Sequence, residues 1–203
     1  MYSVWAPFIA GALLIKRLTF ELRLLVLLVM CKLVLELLAN YLGSHGIHNL
    51  FLSHIYSYIE FSLMATIFYR LARIHTWKMF ILISSIGFII FSIINLIYFE
   101  SFEEFNSNQR YLEGILIFVF CVGYFFKLIK KAEHVFLERH PYFILAASYL
   151  FYISGTLFLF LSSKNFMGAD LHKYWEMHGL MNIWLNLSFV AVFWKGQIKL
   201  GKN

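Results

Sequence analysis

Three stretches of this chain run for the length of a membrane-crossing helix without one Asp, Glu, Lys or Arg: Met79–Phe99, Pro141–Ser163 and Met177–Trp194. A helix needs about 20 predominantly apolar residues to cross the hydrocarbon core of a bilayer. The runs are continuous rather than alternating, which excludes a transmembrane barrel. Composition agrees. Hydrophobic residues make up 61% of the 203 residues and charged ones only 14%, against roughly 45–50% and about 25% in an ordinary soluble domain. So apolar a chain is neither disordered, nor a disulfide scaffold, nor a soluble enzyme. Cys31 and Cys121 sit alone in apolar runs and offer no CxxC metal knuckle.

A span plus a short loop takes roughly 28 residues, so the length suggests about seven helices and little else. The expected architecture is an all-α, polytopic transmembrane bundle, one domain over residues 1–203. Its helices fall at about 2–15, 22–42, 52–71, 79–99, 110–130, 142–163 and 174–194. The first is short and carries Pro7, so it spans only if Lys16 and Arg17 snorkel or the bilayer thins locally. It has no basic n-region and no A-x-A site, and does not read as a removable signal peptide.

Lys and Arg set the expected orientation. Of 17 basic residues, thirteen fall at one side: Lys16, Arg17 and Arg23, then Arg70, Arg73 and Lys78, then Lys127, Lys130, Lys131 and Arg139, then Lys195, Lys199 and Lys202. The expectation is an N-terminus outside and a C-terminus in the cytoplasm. No three-helix repeat is detectable between the two halves, and the spans lack the Gly and Pro interruptions of discontinuous transporter helices.

Ionisable groups within spans cost at least ~2.5–3.5 kcal/mol each, so they turn inward and acquire partners. Helix 2 carries Lys32, Glu36 and Asn40 at i, i+4, i+8, which is one helical face. Helix 3 carries Tyr56 and Glu60, helix 4 Asn95, helix 5 Arg110 and Glu113, and helix 7 the ladder His178, Asn182 and Asn186. At 1.5 Å per residue Glu36, Glu60 and Asn182 lie roughly 9–12 Å below the outer boundary, and Asn95, Glu113 and His178 roughly 4–6 Å below it. If the faces converge, Glu36, Tyr56, Glu60, Asn95, Glu113, His178, Asn182 and Asn186 line an outward-opening ligand pocket. The competing reading is structural: Lys32–Glu36 as a self-neutralising pair, and the amides as interhelical hydrogen-bond glue. A proton path would need polar groups continuing through the inner half, and Lys32 near mid-bilayer is the deepest.

Five histidines lie on the expected outer side: His45, His48, His54, His172 and His178. The stretch Ser44-His45-Gly46-Ile47-His48, with Glu60 twelve residues on and histidines opening helix 7, resembles the zinc-dependent alkaline ceramidase and adiponectin-receptor superfamily. That resemblance implies an intramembrane lipid-amide hydrolase, with zinc held by His48, His172 and His178 and with Glu60 as base or orienting residue. The family closes on HxxxH, where this chain has His172-x5-His178. A second resemblance covers most of the chain. His54-Ile55-Tyr56, Ile59-Glu60, Asn106, Arg110, Glu113-Gly114, His178, Asn182 and Asn186 are similar to a group of small bacterial seven-helix membrane proteins of unassigned activity. It supports the topology and the polar ladders as a set and implies no reaction; the expected location is the bacterial inner membrane.

Other chemistries find no support. Retinal needs a Schiff-base Lys midway along helix 7, and the Lys there is the terminal Lys195. Arg70-x4-His75 matches a short ribonuclease spacing, but lipid-headgroup contact is its ordinary explanation. Topology accounts for the basic loops, so no nucleic-acid partner is expected. The functional expectation is a non-enzymatic, receptor-like or accessory protein without a cofactor. Its partners would be the bilayer and either a small ligand or another membrane protein, and an oligomer is compatible with the sequence. The alternatives are the zinc hydrolase and a small transporter or channel.

Overall fold

The computed structural model describes residues 2–130, 140–162 and 169–197, and the side chains of residues 3–128, 140–157 and 176–197. Seven α-helices follow in order: α1 Trp5–Leu14, α2 Phe20–Ser44, α3 Phe51–Leu71, α4 His75–Tyr98, α5 Ser107–Lys130, α6 Pro141–Ser162 and α7 Ala169–Lys195. Among the described residues there is no strand. Among the described residues, three helical segments are long and apolar enough to cross a membrane: His75–Tyr98, Ser107–Leu128 and Glu176–Lys195. Short 3₁₀ turns, Tyr2–Val4 and Ile15–Arg17, extend α1 at both ends. Together the three pieces are roughly 27 Å long, close to a hydrocarbon core of about 30 Å.

Helix ends follow local chemistry. Gly46, at φ 69°, stops α2 in the left-handed conformation a glycine adopts without penalty. There Ile47 N donates to the Leu42 carbonyl at 3.0 Å, satisfying an otherwise orphaned acceptor. Pro141 opens α6, where its missing N–H costs nothing. Glu100 serves both sides of the α4–α5 junction. Its N–H donates to the Asn95 carbonyl at 2.8 Å, while its carboxylate accepts the N–H of Asn108 in the first turn of α5 at 3.0 Å.

The helices α1, α2, α3, α5, α6 and α7 close a ring in which each packs on the next, and α7 returns to α1. Helix α4 lies outside it, against α3 and α5. This explains its burial: Ile81, Phe88, Ser92 and Asn95 face the bundle, whereas Ile83, Ile86, Ile90, Ile94 and Ile97 are exposed. A continuous isoleucine face of this kind suits lipid tails and not water. Alternating helix direction is fixed by polar staples. Arg70 at the end of α3 pairs with Glu21 at the start of α2 at 2.8 Å, and Tyr142 of α6 donates to the same carboxylate at 3.2 Å. At the opposite end Asn106, beside α5, donates to the Ser53 carbonyl at 3.0 Å and to Ser57 Oγ at 2.9 Å. The middle of the bundle is aromatic. Phe61 stacks on Phe88 with centroids 4.0 Å apart, Phe120 lies 6.2 Å from Phe61, and Tyr149 lies 5.9 Å from Phe189.

Gly123 is a sequence requirement of α4–α5 packing. A Cβ built there would stand 2.0 Å from Cζ2 of Trp77, so only a glycine lets the indole lie on the α5 backbone. Gly123→Ala is expected to destabilise the protein by about 1–3 kcal/mol, the usual cost of overpacking. Adding Trp77→Leu should recover most of that loss. Thermal unfolding of the detergent-purified single and double variants reads both effects.

Candidate functional site

The polar ladders of α2 and α7 face each other across one open cleft of about 440 Å³ near the α3 N-terminus. From α2 it receives Lys32, Glu36 and Asn40, from α3 Tyr56, from α5 Arg110, from α6 Tyr152, and from α7 His178, Asn182 and Asn186. The i, i+4 spacing on α2 and α7 is what turns both ladders inward once Leu25, Val29, Leu185 and Phe189 pack into the core on the adjoining turns. Five of the eight anticipated ligand residues therefore meet here: Glu36, Tyr56, His178, Asn182 and Asn186.

Glu60 and Glu113 stand behind this wall instead of lining it. Both are buried, at 3% exposure, and Arg110 lies between them and the cleft. One Arg110 nitrogen, Nη1, bonds Glu60 Oε2 at 2.8 Å and Glu113 Oε2 at 3.2 Å. The other Glu60 oxygen accepts Tyr149 Oη at 3.0 Å. The guanidinium also sits over the Tyr56 ring, 4.7 Å from its centroid. Arg110 thus joins α3, α5 and α6 on its buried side and reaches the cleft with the remainder of its surface. The acids are its counterions.

Lys32 takes an unexpected set of partners. Its Nζ donates to Asn182 Oδ1 at 2.9 Å and to Asn186 Oδ1 at 3.3 Å, tying α2 to α7. No ion pair joins it to Glu36. Asn186 in turn donates to Ser3 Oγ at 2.9 Å, and Asn182 Nδ2 lies 3.2 Å from His178 Nδ1. Tyr152 Oη lies 3.4 Å from His178 Nε2. The amides provide the acceptors for Lys32, and the Lys32–Glu36 pair of the competing structural reading does not form. Glu36 is left lining the cleft with no hydrogen bond of its own among the described residues.

Asn95 lies elsewhere. Its Nδ2 donates to Glu100 Oε2 at 2.9 Å and its Oδ1 accepts Asn108 Nδ2 at 3.0 Å, so it closes the α4–α5 junction. Because α4 is excluded from the helix ring, correct depth alone does not bring Asn95 to the cleft. Of the residues implied for zinc, His48 and His178 do not share the cleft lining. His48 is exposed and outside the cleft lining, His178 is engaged by Asn182 and Tyr152, and the side chain of His172 lies outside the described residues. Among the described residues no three His, Cys, Asp or Glu side chains converge as metal ligands. His54 is buried, with Nδ1 3.1 Å from Gln109 Oε1 and Nε2 3.2 Å from the Glu104 carbonyl, an α3–α5 staple.

Several residues of the cleft and of the ion cluster behind it were not among the eight anticipated ligand residues. Tyr149 and Tyr152 sit at i, i+3 in an otherwise apolar helix, and a phenol hydroxyl in a charge-free span is itself a signal, since it needs a partner when buried. Lys32 and Arg110 carry the positive charge of the cleft, whereas the acids had drawn attention. Ser3 and Asn49 precede helices and gave no periodic signal.

Removing Arg110 would leave two buried carboxylates without their cation. Arg110→Met is expected to cost about 3–5 kcal/mol, and adding Glu60→Gln with Glu113→Gln should recover most of it. Thermal unfolding in detergent distinguishes this from a mere loss of volume, which the added Gln residues would not repair.

No family model matches this chain, and no curated protein or solved structure is similar to it.

Proposed function

We propose that this chain is a seven-span protein of the bacterial inner membrane, N-terminus outside and C-terminus cytoplasmic, whose outward-facing cleft binds a small polar ligand in a receptor-like or accessory role. The observation that carries the reading is the cleft itself. A space of about 440 Å³ is bounded by polar side chains from α2, α3, α5, α6 and α7. Pockets of this size take small organic ligands. Polar residues retained only as packing glue would satisfy one another without leaving such a space.

The chemistry of the lining indicates the kind of ligand. Lys32 and Arg110 contribute positive charge, Glu36 negative charge, and Tyr56, Tyr152, Asn40 and the α7 amides add neutral donors and acceptors. Both signs facing one small space suit a compact zwitterion or a polyfunctional polar molecule. The aromatic layer of Phe61, Phe88 and Phe120 beneath it, together with the missing repeat, favours binding over passage. Occupancy would be conveyed to a membrane partner through helix displacement.

Two measurements test this. In a Cys31→Ser, Cys121→Ala background, Asn40→Cys should react in intact cells with a membrane-impermeant maleimide, while Thr76→Cys should react only after permeabilisation. The opposite pattern would overturn the orientation. Solvent extraction of the gently purified protein, followed by mass spectrometry, should yield a small polar compound near equimolar with protein. Glu36→Gln removes one charged contact and should lower that yield about tenfold while the protein stays folded. An extract with no such compound, or an unchanged yield, would sink the ligand reading.

A further inference from the structure

A second cavity, of about 420 Å³, opens at the other end of the α3–α5 pair, roughly a helix length from the cleft. Its walls are Phe68 and Leu71 of α3, Trp77 of α4, and Val119, Val122 and Phe126 of α5, and its rim carries Arg73, Thr76 and Lys127. An apolar groove edged by cations is an amphiphile's shape: a place for a chain and a place for a negative head.

The charge around the rim is one-sided. Arg70, Arg73, Lys78 and Lys127 gather at this end, and among the described residues the acid near them is Glu21, already paired with Arg70 at 2.8 Å. Lys78 lies over the Tyr69 ring at 5.2 Å, and Lys127 donates to the Leu71 carbonyl at the end of α3. Arg73 differs from these. It lines the groove, is exposed, and makes no hydrogen bond or ion pair among the described residues. Helix α4 also begins at this rim without a side-chain cap, which adds a favourable dipole to the charge already present.

From the groove and its charge we infer that this is a binding site for an anionic phospholipid, with the phosphate against Arg73 and an acyl chain along Trp77, Val119, Val122 and Phe126. Two facts select that occupant. A zwitterionic headgroup would bring its own cation to a rim already rich in Lys and Arg. A free anion would leave the apolar walls uncovered. Basic pockets between helices at the cytoplasmic boundary are suited to such headgroups, and each Lys or Arg near an anionic surface tightens association with it about fivefold. The site rests on the membrane-spanning reading above and is independent of the ligand assigned to the cleft.

Trp77 supplies the probe. With Trp5, Trp175, Trp184 and Trp194 changed to Phe, the protein is placed in nanodiscs of one mixed composition of phosphatidylglycerol and phosphatidylcholine. An equal fraction of either lipid carries brominated chains. Quenching of Trp77 should be several times stronger from brominated phosphatidylglycerol. Arg73→Gln should remove that excess, and Val119→Phe, which fills the groove while keeping the cation, should remove it too. Arg17→Gln, an exposed cation outside the groove, should leave it intact. Equal quenching by the two lipids, or an excess that survives Arg73→Gln, would overturn the site. Failure of the chain to co-elute with the nanodiscs would instead overturn the membrane reading on which the site depends.

Discussion

Most of this bundle can be held together by apolar contact, but Arg110 cannot. A guanidinium stays charged, so one that is largely enclosed must find acceptors before the helices around it can settle. It finds Glu60 on α3 and Glu113 one turn along its own helix, at 2.8 and 3.2 Å, with Tyr149 of α6 completing the Glu60 carboxylate. That requirement fixes the rotation of α5 and the register of α3 against it. A one-residue slip on either helix would turn a charge about 100° towards lipid or apolar core. The stacked aromatics below make no comparable directional demand, so the ion cluster sets the register and the aromatic layer fills it.

The same logic explains why the cleft exists. With the acids committed to Arg110, Lys32 is satisfied by the Asn182 and Asn186 carbonyl oxygens rather than by Glu36 one turn away. Tying α2 to α7 through amides leaves the α2 carboxylate unclaimed. Glu36 then faces a space into which Lys32 and Arg110 also look. A self-neutralising Lys32–Glu36 pair would have removed both charges from the cleft at once. Site chemistry and helix packing are therefore two consequences of one assignment of partners.

The architecture was largely legible because its causes are periodic. Charge-free runs give helix positions, and i, i+4 ladders give the inward faces of α2 and α7; Glu36, Tyr56, His178, Asn182 and Asn186 share one cleft for that reason. Asn95 was misleading because depth along a helix says nothing of whether that helix belongs to the ring. Peripheral placement of α4 follows from its isoleucine-rich exposed face, a signal of position around the bundle rather than along it. Glu60 and Glu113 have the right depth and direction, yet Arg110 separates them from the cleft. Which of several buried acids a single arginine claims is decided by three-dimensional reach, which spacing does not encode. Tyr149 and Tyr152 were hidden for a simpler reason: tyrosine counts as apolar in a run, and its hydroxyl matters only once a partner is near.

Two cavities at opposite ends of one helix pair also divide the work of α5. Its first turn carries Arg110 at the cleft, and its second half carries Val119, Val122 and Lys127 at the groove. At the groove Gly123 admits the Trp77 indole, and Phe120 locks the middle of α5 to Phe61 and Phe68. A helix gripped so closely in its middle moves as a rigid body or not at all, since packed aromatic layers have no soft intermediate position. A displacement demanded at Arg110 would then reappear at the groove walls, whereas a change in the groove would meet the buried ion cluster as its main resistance. The cluster that sets the register of the bundle is thus also the element through which its two ends would have to communicate.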